Sequence, residues 1–196
     1  MSDLAGHVAA TSSFAEAGYP GAELEFICDT VEQVRPDAIF EWGTGSGCSG
    51  RIFWECSRLL NLSATIHTVE LPDELMPLDL QHPSTSCGMY LDGTTVIRHR
   101  GDGVTEALVL WAHLQPQRSL FFLDGDHSQV MVYREIALID RMVPDAVMLI
   151  HDTNAGPGDA ARAWVAEQGR HVFTSTPERV GVGRLDPVCR VEEWPY

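Results

Sequence analysis

Five short apolar runs recur along the chain: Ala38–Trp42 (AIFEW), Ala64–Glu70 (ATIHTVE), Val96–His99 (VIRH), Leu120–Asp124 (LFFLD) and Ala146–Ile150 (AVMLI). Longer stretches of helical spacing lie between and after most of them, at 48–60, 104–114, 128–142 and 160–168. Parallel strands need a crossover connection, usually a helix, so this alternation predicts an α/β fold built on a mostly parallel sheet. The last readable runs, His171–Thr174 and Val180–Leu185, stand close together around Thr176-Pro177-Glu178. They predict an antiparallel hairpin that closes one edge of the sheet.

A chain of 196 residues suits one domain with a full core. Residues 36–196 are expected to form that domain. Residues 1–35 are read as an N-terminal helical segment, although the first 25 show only a modest helical pattern. The stretch 72–93 has no clear periodicity and reads as a surface loop or lid. With 13 basic against 28 acidic residues the formal charge is −15. Such a chain repels polyanions, because nucleic-acid binding rests on neutralising phosphates with Lys and Arg. Neither a nucleic acid nor a membrane is expected as partner, and small molecules are favoured. No apolar run approaches the roughly 20 residues that span a bilayer. The opening MSDLAGHVAATSSF lacks the basic and apolar regions of a signal peptide. Five cysteines with no CxxC pair suggest neither a disulfide framework nor a zinc knuckle, so a reduced, cytoplasmic setting is expected.

The first apolar run ends in FEWGTGSGCSG. Gly43, Gly45 and Gly47 stand between a strand and a helix, where glycine lets the backbone turn tightly and approach a ligand. A dinucleotide fingerprint, G-x-G-x-x-G, would need glycine at position 48, which is Cys48. The actual pattern is E-x-G-x-G-x-G, and Glu41 suits a cationic group such as an amine. Glu70 ends the second run, where a carboxylate can accept ribose hydroxyls, and Asp102 follows the third in RHRGDG. Three acids after three consecutive strands point to one ligand lying across the sheet.

From about residue 36 onwards the chain resembles class I S-adenosylmethionine-dependent methyltransferases. EWGTGSGCSG, LFFLDGDHS and LIHDTN most resemble the small O-methyltransferases of the catechol and caffeoyl-CoA type and the natural-product group related to the sugar O-methyltransferases and cephalosporin-hydroxylase-like proteins. The resemblance implies a single Rossmann-like, doubly wound seven-stranded sheet with a reversed last hairpin. It implies that Glu41 and the Gly43-Thr44-Gly45-Ser46-Gly47 turn hold the methionine end of the cofactor, with Ser49 at its carboxylate. Glu70 would take the ribose and Asp102 would lie near the adenine. A homodimer associated through the N-terminal segment is implied by resemblance alone.

LFFLDGDHS gathers ionisable groups at the end of a buried strand. Asp124 on the fourth run and Asp152 on the fifth are expected to converge on one divalent cation, Mg²⁺ by preference, since neighbouring strands lie roughly 4.8 Å apart. A cation would relieve the repulsion between two carboxylates. The third ligand is left open between His151, Asn154 and none. Such a metal would orient a substrate hydroxyl and make it more acidic. His127, three residues after Asp124, is read as the general base, at an offset where the resembling families often carry one. Asp126 is read as a helix N-cap for the segment starting at Ser128. The activity expected is O-methylation of a small molecule, a secondary metabolite by resemblance. A nicotinamide-dependent oxidoreductase, or a non-catalytic cofactor-binding protein of the same fold, are the alternatives.

Overall fold

Four of the five apolar runs become strands with side chains buried on both faces along most of their length, which is what a parallel sheet covered by helices requires, whereas the third, Ile97–Arg100, is largely exposed. The computed structural model describes residues 2–11, 19, 21–75, 87–169, 171–176 and 181–188. Its strands are β1 (Ala38–Trp42), β2 (Thr65–Glu70), β3 (Ile97–Arg100), β4 (Ser119–Leu123), β5 (Val147–His151), β6 (His171–Ser175) and β7 (Val182–Pro187). They form one seven-stranded sheet in the order β3-β2-β1-β4-β5-β7-β6. β1 to β5 run parallel, and β7 pairs antiparallel with both β5 and β6. This is the Rossmann-like arrangement expected, reversed hairpin included. Pro177 and Glu178, read as the hairpin's turn, lie outside the described residues.

Strand alternation divides the core in two. On one face Ile39, Ile66, Leu120, Phe122, Val147, Leu149 and Val182 pack under helices α1 (Asp3–Thr11), α2 (Ala22–Val34) and α3 (Cys48–Leu59). On the other, Phe40, Trp42, Phe121, Leu123, Met148, Ile150 and Leu185 pack under α4 (Gly103–Leu114), α5 (Gln129–Met142) and α6 (Gly156–Gln168). The N-terminal helices therefore share the main core. In α2, Leu24, Ile27, Cys28, Val31 and Val34 are all buried, a stripe at spacings of three and four.

Most boundaries fall within a residue or two of expectation. Helix α6 starts earlier than the expected Ala160 because Pro157 sits in its first turn, where a missing N–H costs nothing. The N-cap of α5 is Ser128, which accepts from the N–H of Met131, and Asp126 instead accepts from the N–H of Ser128 at 2.7 Å. Of the loop read at 72–93, the residues 76–86 lie outside the described ones. Residues 87–93 fold back on the glycine turn: the N–H groups of Gly88 and Tyr90 donate to the carbonyls of Gly45 and Ser46, at 2.8 and 3.0 Å.

Candidate active site

The parallel strands bring their carboxyl ends to one edge, where open α/β sheets bind ligands. β1 leaves that edge through the glycine turn. Gly43, Gly45 and Gly47 all have positive φ, of 86°, 47° and 85°. A Cβ on Gly43 would come within 2.0 Å of the Asp124 carbonyl oxygen, so the turn lies directly against the end of β4. Gly47 caps α3, whose first N–H groups open beside the turn. The Glu70 Oε2 accepts from the N–H of Gly45 at 2.9 Å, which ties the end of β2 to the same turn.

Under the turn lies Glu41, 1% exposed. Both of its carboxylate oxygens are buried without a well-formed hydrogen bond among the described residues. The Oε1 atom stands 3.0 Å from where a Cβ on Gly50 would be, so a larger residue there would press on the carboxylate. Burial pushes the carboxyl up to about 7, against the nearby hydroxyls of Thr68 and Ser49, which favour the charged form. A buried carboxylate so poorly satisfied is a vacancy for a donor, above all for an ammonium. Thr44 and Thr68 share a hydrogen bond at 2.6 Å beside it, and Ser49 is buried in the first turn of α3. Asp102 caps α4, its side chain accepting from the N–H of Thr105 at 3.2 Å.

The second cluster follows from register. Leu123 pairs with Ile150, so the next residues, Asp124 and His151, stand side by side, and Asp152 rises one step higher. His151 Nδ1 donates to Asp124 Oδ1 at 2.7 Å and lies 3.7 Å from Asp152 Oδ1. An imidazole thus stands between the two carboxylates. Burial opposes its charge, but the hydrogen bond and charge of Asp124, with Asp152 and Glu23, outweigh burial and raise its pKa. Asp152 has a left-handed φ of 54°, which for a residue other than glycine marks a constrained position. Its Oδ2 accepts from His127 Nδ1, and the His127 side chain is 55% exposed.

This arrangement does not fit the resident divalent metal expected from the sequence. The place between Asp124 and Asp152 is taken by His151, and Asp152 is also engaged by His127. The hydroxyl of Thr153 is buried at the base of Gly181, whose Cβ would stand 2.4 Å from it. Among the described residues no group of three His, Cys, Asp or Glu side chains is placed to hold a metal ion. Asp124 and Asp152 both raise the pKa of His151 and so favour a positive charge between them.

Two residues that the sequence reading did not single out complete the cluster. Tyr19 donates its hydroxyl to Asp124 Oδ2 at 3.0 Å, with its ring edge-on to His151 at 5.2 Å. Glu23, fully buried in the first turn of α2, accepts from the N–H of Gly181 at 2.9 Å. The available signals were the stretch Gly18-Tyr19-Pro20-Gly21, and an acid one position before the apolar stripe of α2.

No protein-family model matches the chain, and no curated protein does. Solved structures match its fold. A methyltransferase from Podospora anserina, bound to SAH, is 15% identical with a TM-score of 0.59, covering 95% of this chain and 88% of that one. An O-methyltransferase from Bacillus cereus, in complex with SAH, is 15% identical at a TM-score of 0.58, covering 95% and 91%. The O-methyltransferase TomG from Streptomyces achromogenes, involved in tomaymycin synthesis and in complex with SAM, is 14% identical at 0.58, covering 95% and 90%. The fold of this chain is the one these methyltransferase structures share.

Proposed function

We propose that the protein transfers a methyl group from S-adenosylmethionine to a hydroxyl of a small molecule. The observation that carries this reading is Glu41, a buried carboxylate with unfilled acceptor capacity directly beneath a glycine turn. The residues present fit the cofactor. Glu41 would receive its ammonium, the Gly43–Gly47 turn and Ser49 its carboxylate, and Glu70 its ribose hydroxyls. When bound, the cofactor supplies an electrophilic methyl group on a sulfonium.

The chain supplies the rest. His127 holds Nδ1 to Asp152, which fixes the tautomer and leaves Nε2 to accept the acceptor's proton. His127 Nε2 would take the proton that the acceptor hydroxyl gives up as its oxygen is methylated. Asp152 orients the imidazole, and no step passes through a metal. The formal charge of −15 favours neutral or cationic acceptors over polyanions. A secondary metabolite as acceptor, and a homodimer joined through the N-terminal segment, stay part of the proposal by resemblance.

The test is calorimetric titration with SAH, with Mg²⁺ and with EDTA. Saturable binding, the same in both, is expected, and NADH should give none. Absence of SAH binding under either condition overturns the reading, and NADH binding in its place supports the oxidoreductase. With an acceptor found by screening, His127→Gln should lower kcat by about 10²–10⁴-fold and leave SAH affinity within about twofold.

A further inference from the structure

Glu23 lies in the first turn of α2, fully buried, and its Oε1 accepts from the N–H of Gly181 at 2.9 Å. A charged acceptor makes this a strong amide bond. Gly181 has a φ of 79°, and a Cβ there would come within 2.4 Å of the Thr153 hydroxyl. Its carbonyl accepts from the N–H of Thr153 at 3.1 Å. One residue is thus held by Glu23 through its N–H and holds Thr153 through its C=O. Thr153 follows Asp152, whose left-handed φ of 54° needs its neighbours to be fixed. The same loop packs on His127. The N–H of Ala155 donates to the Asp152 carbonyl at 2.9 Å, and a Cβ on Gly156 would come within 2.8 Å of the His127 carbonyl oxygen. The His127 ring itself is 55% exposed, and Asp152 Oδ2 is the acceptor that engages its Nδ1.

We propose that Glu23 is a positioning residue for His127, acting through Gly181, Thr153 and Asp152. This rests on the reading of His127 as general base. Anchoring Gly181 fixes Thr153, Thr153 fixes the turn that gives Asp152 its backbone angle, and Asp152 then receives the Nδ1 proton. The nitrogen that faces an acceptor hydroxyl is left bare. Without the anchor, Asp152 can relax out of the left-handed region and its carboxylate can leave His127. An imidazole released in this way favours the Nε2–H tautomer of free histidine, which carries its proton where the base must accept one. The carboxylate of α2 therefore acts on the chemistry through backbone, at a distance from the reacting atoms.

The experiment reads the tautomer directly, by two-dimensional NMR of the full chain with ¹⁵N-labelled histidine, at about pH 9, above the usual imidazole range. The His127 signals are assigned by their loss in His127→Gln. Wild type should show the Nδ1–H form. Glu23→Ala should lose more than about half of it to the Nε2–H form, with SAH affinity kept within about twofold as the control for folding. Glu23→Gln keeps an acceptor for the Gly181 N–H and removes the charge, so it should retain the wild-type tautomer. An unchanged tautomer in Glu23→Ala overturns the proposal, and so does loss of the Nδ1–H form in Glu23→Gln. Should Glu23→Ala not bind SAH, Glu23→Asp, one methylene too short to reach Gly181, is read in its place against the same two outcomes. A wild type without the Nδ1–H form defeats instead the reading of His127 as the base, a distinct result.

Discussion

Glu41 is a strand residue whose neighbours decide its chemistry. Alternation turns it to the same face as Ile39, where α3 buries it, and the glycine at position 50 leaves room for its carboxylate. Burial holds it at about 7, so in the ligand-free protein it is largely protonated below that pH. An ammonium ligand needs the carboxylate form, so ligand binding must expel the proton. SAH affinity should therefore weaken as pH falls through about 7, by about tenfold between pH 8 and pH 6. Glu41→Gln should bind weakly, with no such slope. Calorimetry across that range checks both, and a flat wild-type profile would remove Glu41 from the ligand site. The motif made Glu41 and Glu70 stand out, because each lies at the carboxyl end of an apolar run where ligands bind. Tyr19 and Glu23 were not legible, since their partners Asp124 and Gly181 lie 105 and 158 residues away.

Among the elements, the glycine turn has the least freedom. Gly43 and Gly93 both have positive φ, 86° and 76°, but a Cβ on Gly93 meets nothing within 4 Å. A Cβ on Gly43 would strike the Asp124 carbonyl. Gly93→Ala should cost about 1 kcal/mol, the backbone strain alone. Gly43→Ala should cost at least about 2 kcal/mol more, and should also abolish SAH binding. Urea unfolding of the two variants measures the difference, and equal losses would mean that β4 yields to the turn. Strands and most helices were legible from periodicity. The pairing of Asp124 with His151 was not, because register is a property of two strands together. Two carboxylates at adjacent strand ends suggested a shared cation, and a one-residue offset puts the imidazole there instead.

At the scale of the whole molecule, buried acids set how stability responds to pH. Burial pushes Glu135, on α5, up to about 7, against the favourable indole N–H of Trp42 and with Asp126 and Asp102 adding to the rise. The folded state therefore keeps a proton that the unfolded chain releases near its model-peptide value of 4.5. The contribution of Glu135 is fully present below about 4.5 and shrinks as pH rises toward 7, by at most about 1.4 kcal/mol per unit. Glu135→Gln, which cannot ionise, should gain on wild type as pH rises from about 5 to about 8. The difference between their melting temperatures cancels every other titrating group. A constant difference would show that Glu135 ionises normally in the fold.

The bond from the Gly181 N–H to Glu23 joins the second helix to the entrance of the last strand, and β7 must slip between β5 and β6 to reach it. A ribosome has therefore made every proposed site residue, from Tyr19 to Asp152, before the strand that anchors Glu23 exists. During synthesis the glycine turn and the strands that flank it can assemble early, since β1, β2 and β4 precede the hairpin in the chain. The bond that ties α2 to the last strand waits for β7, so a polypeptide released short of it would carry the complete inventory of site groups without that tie.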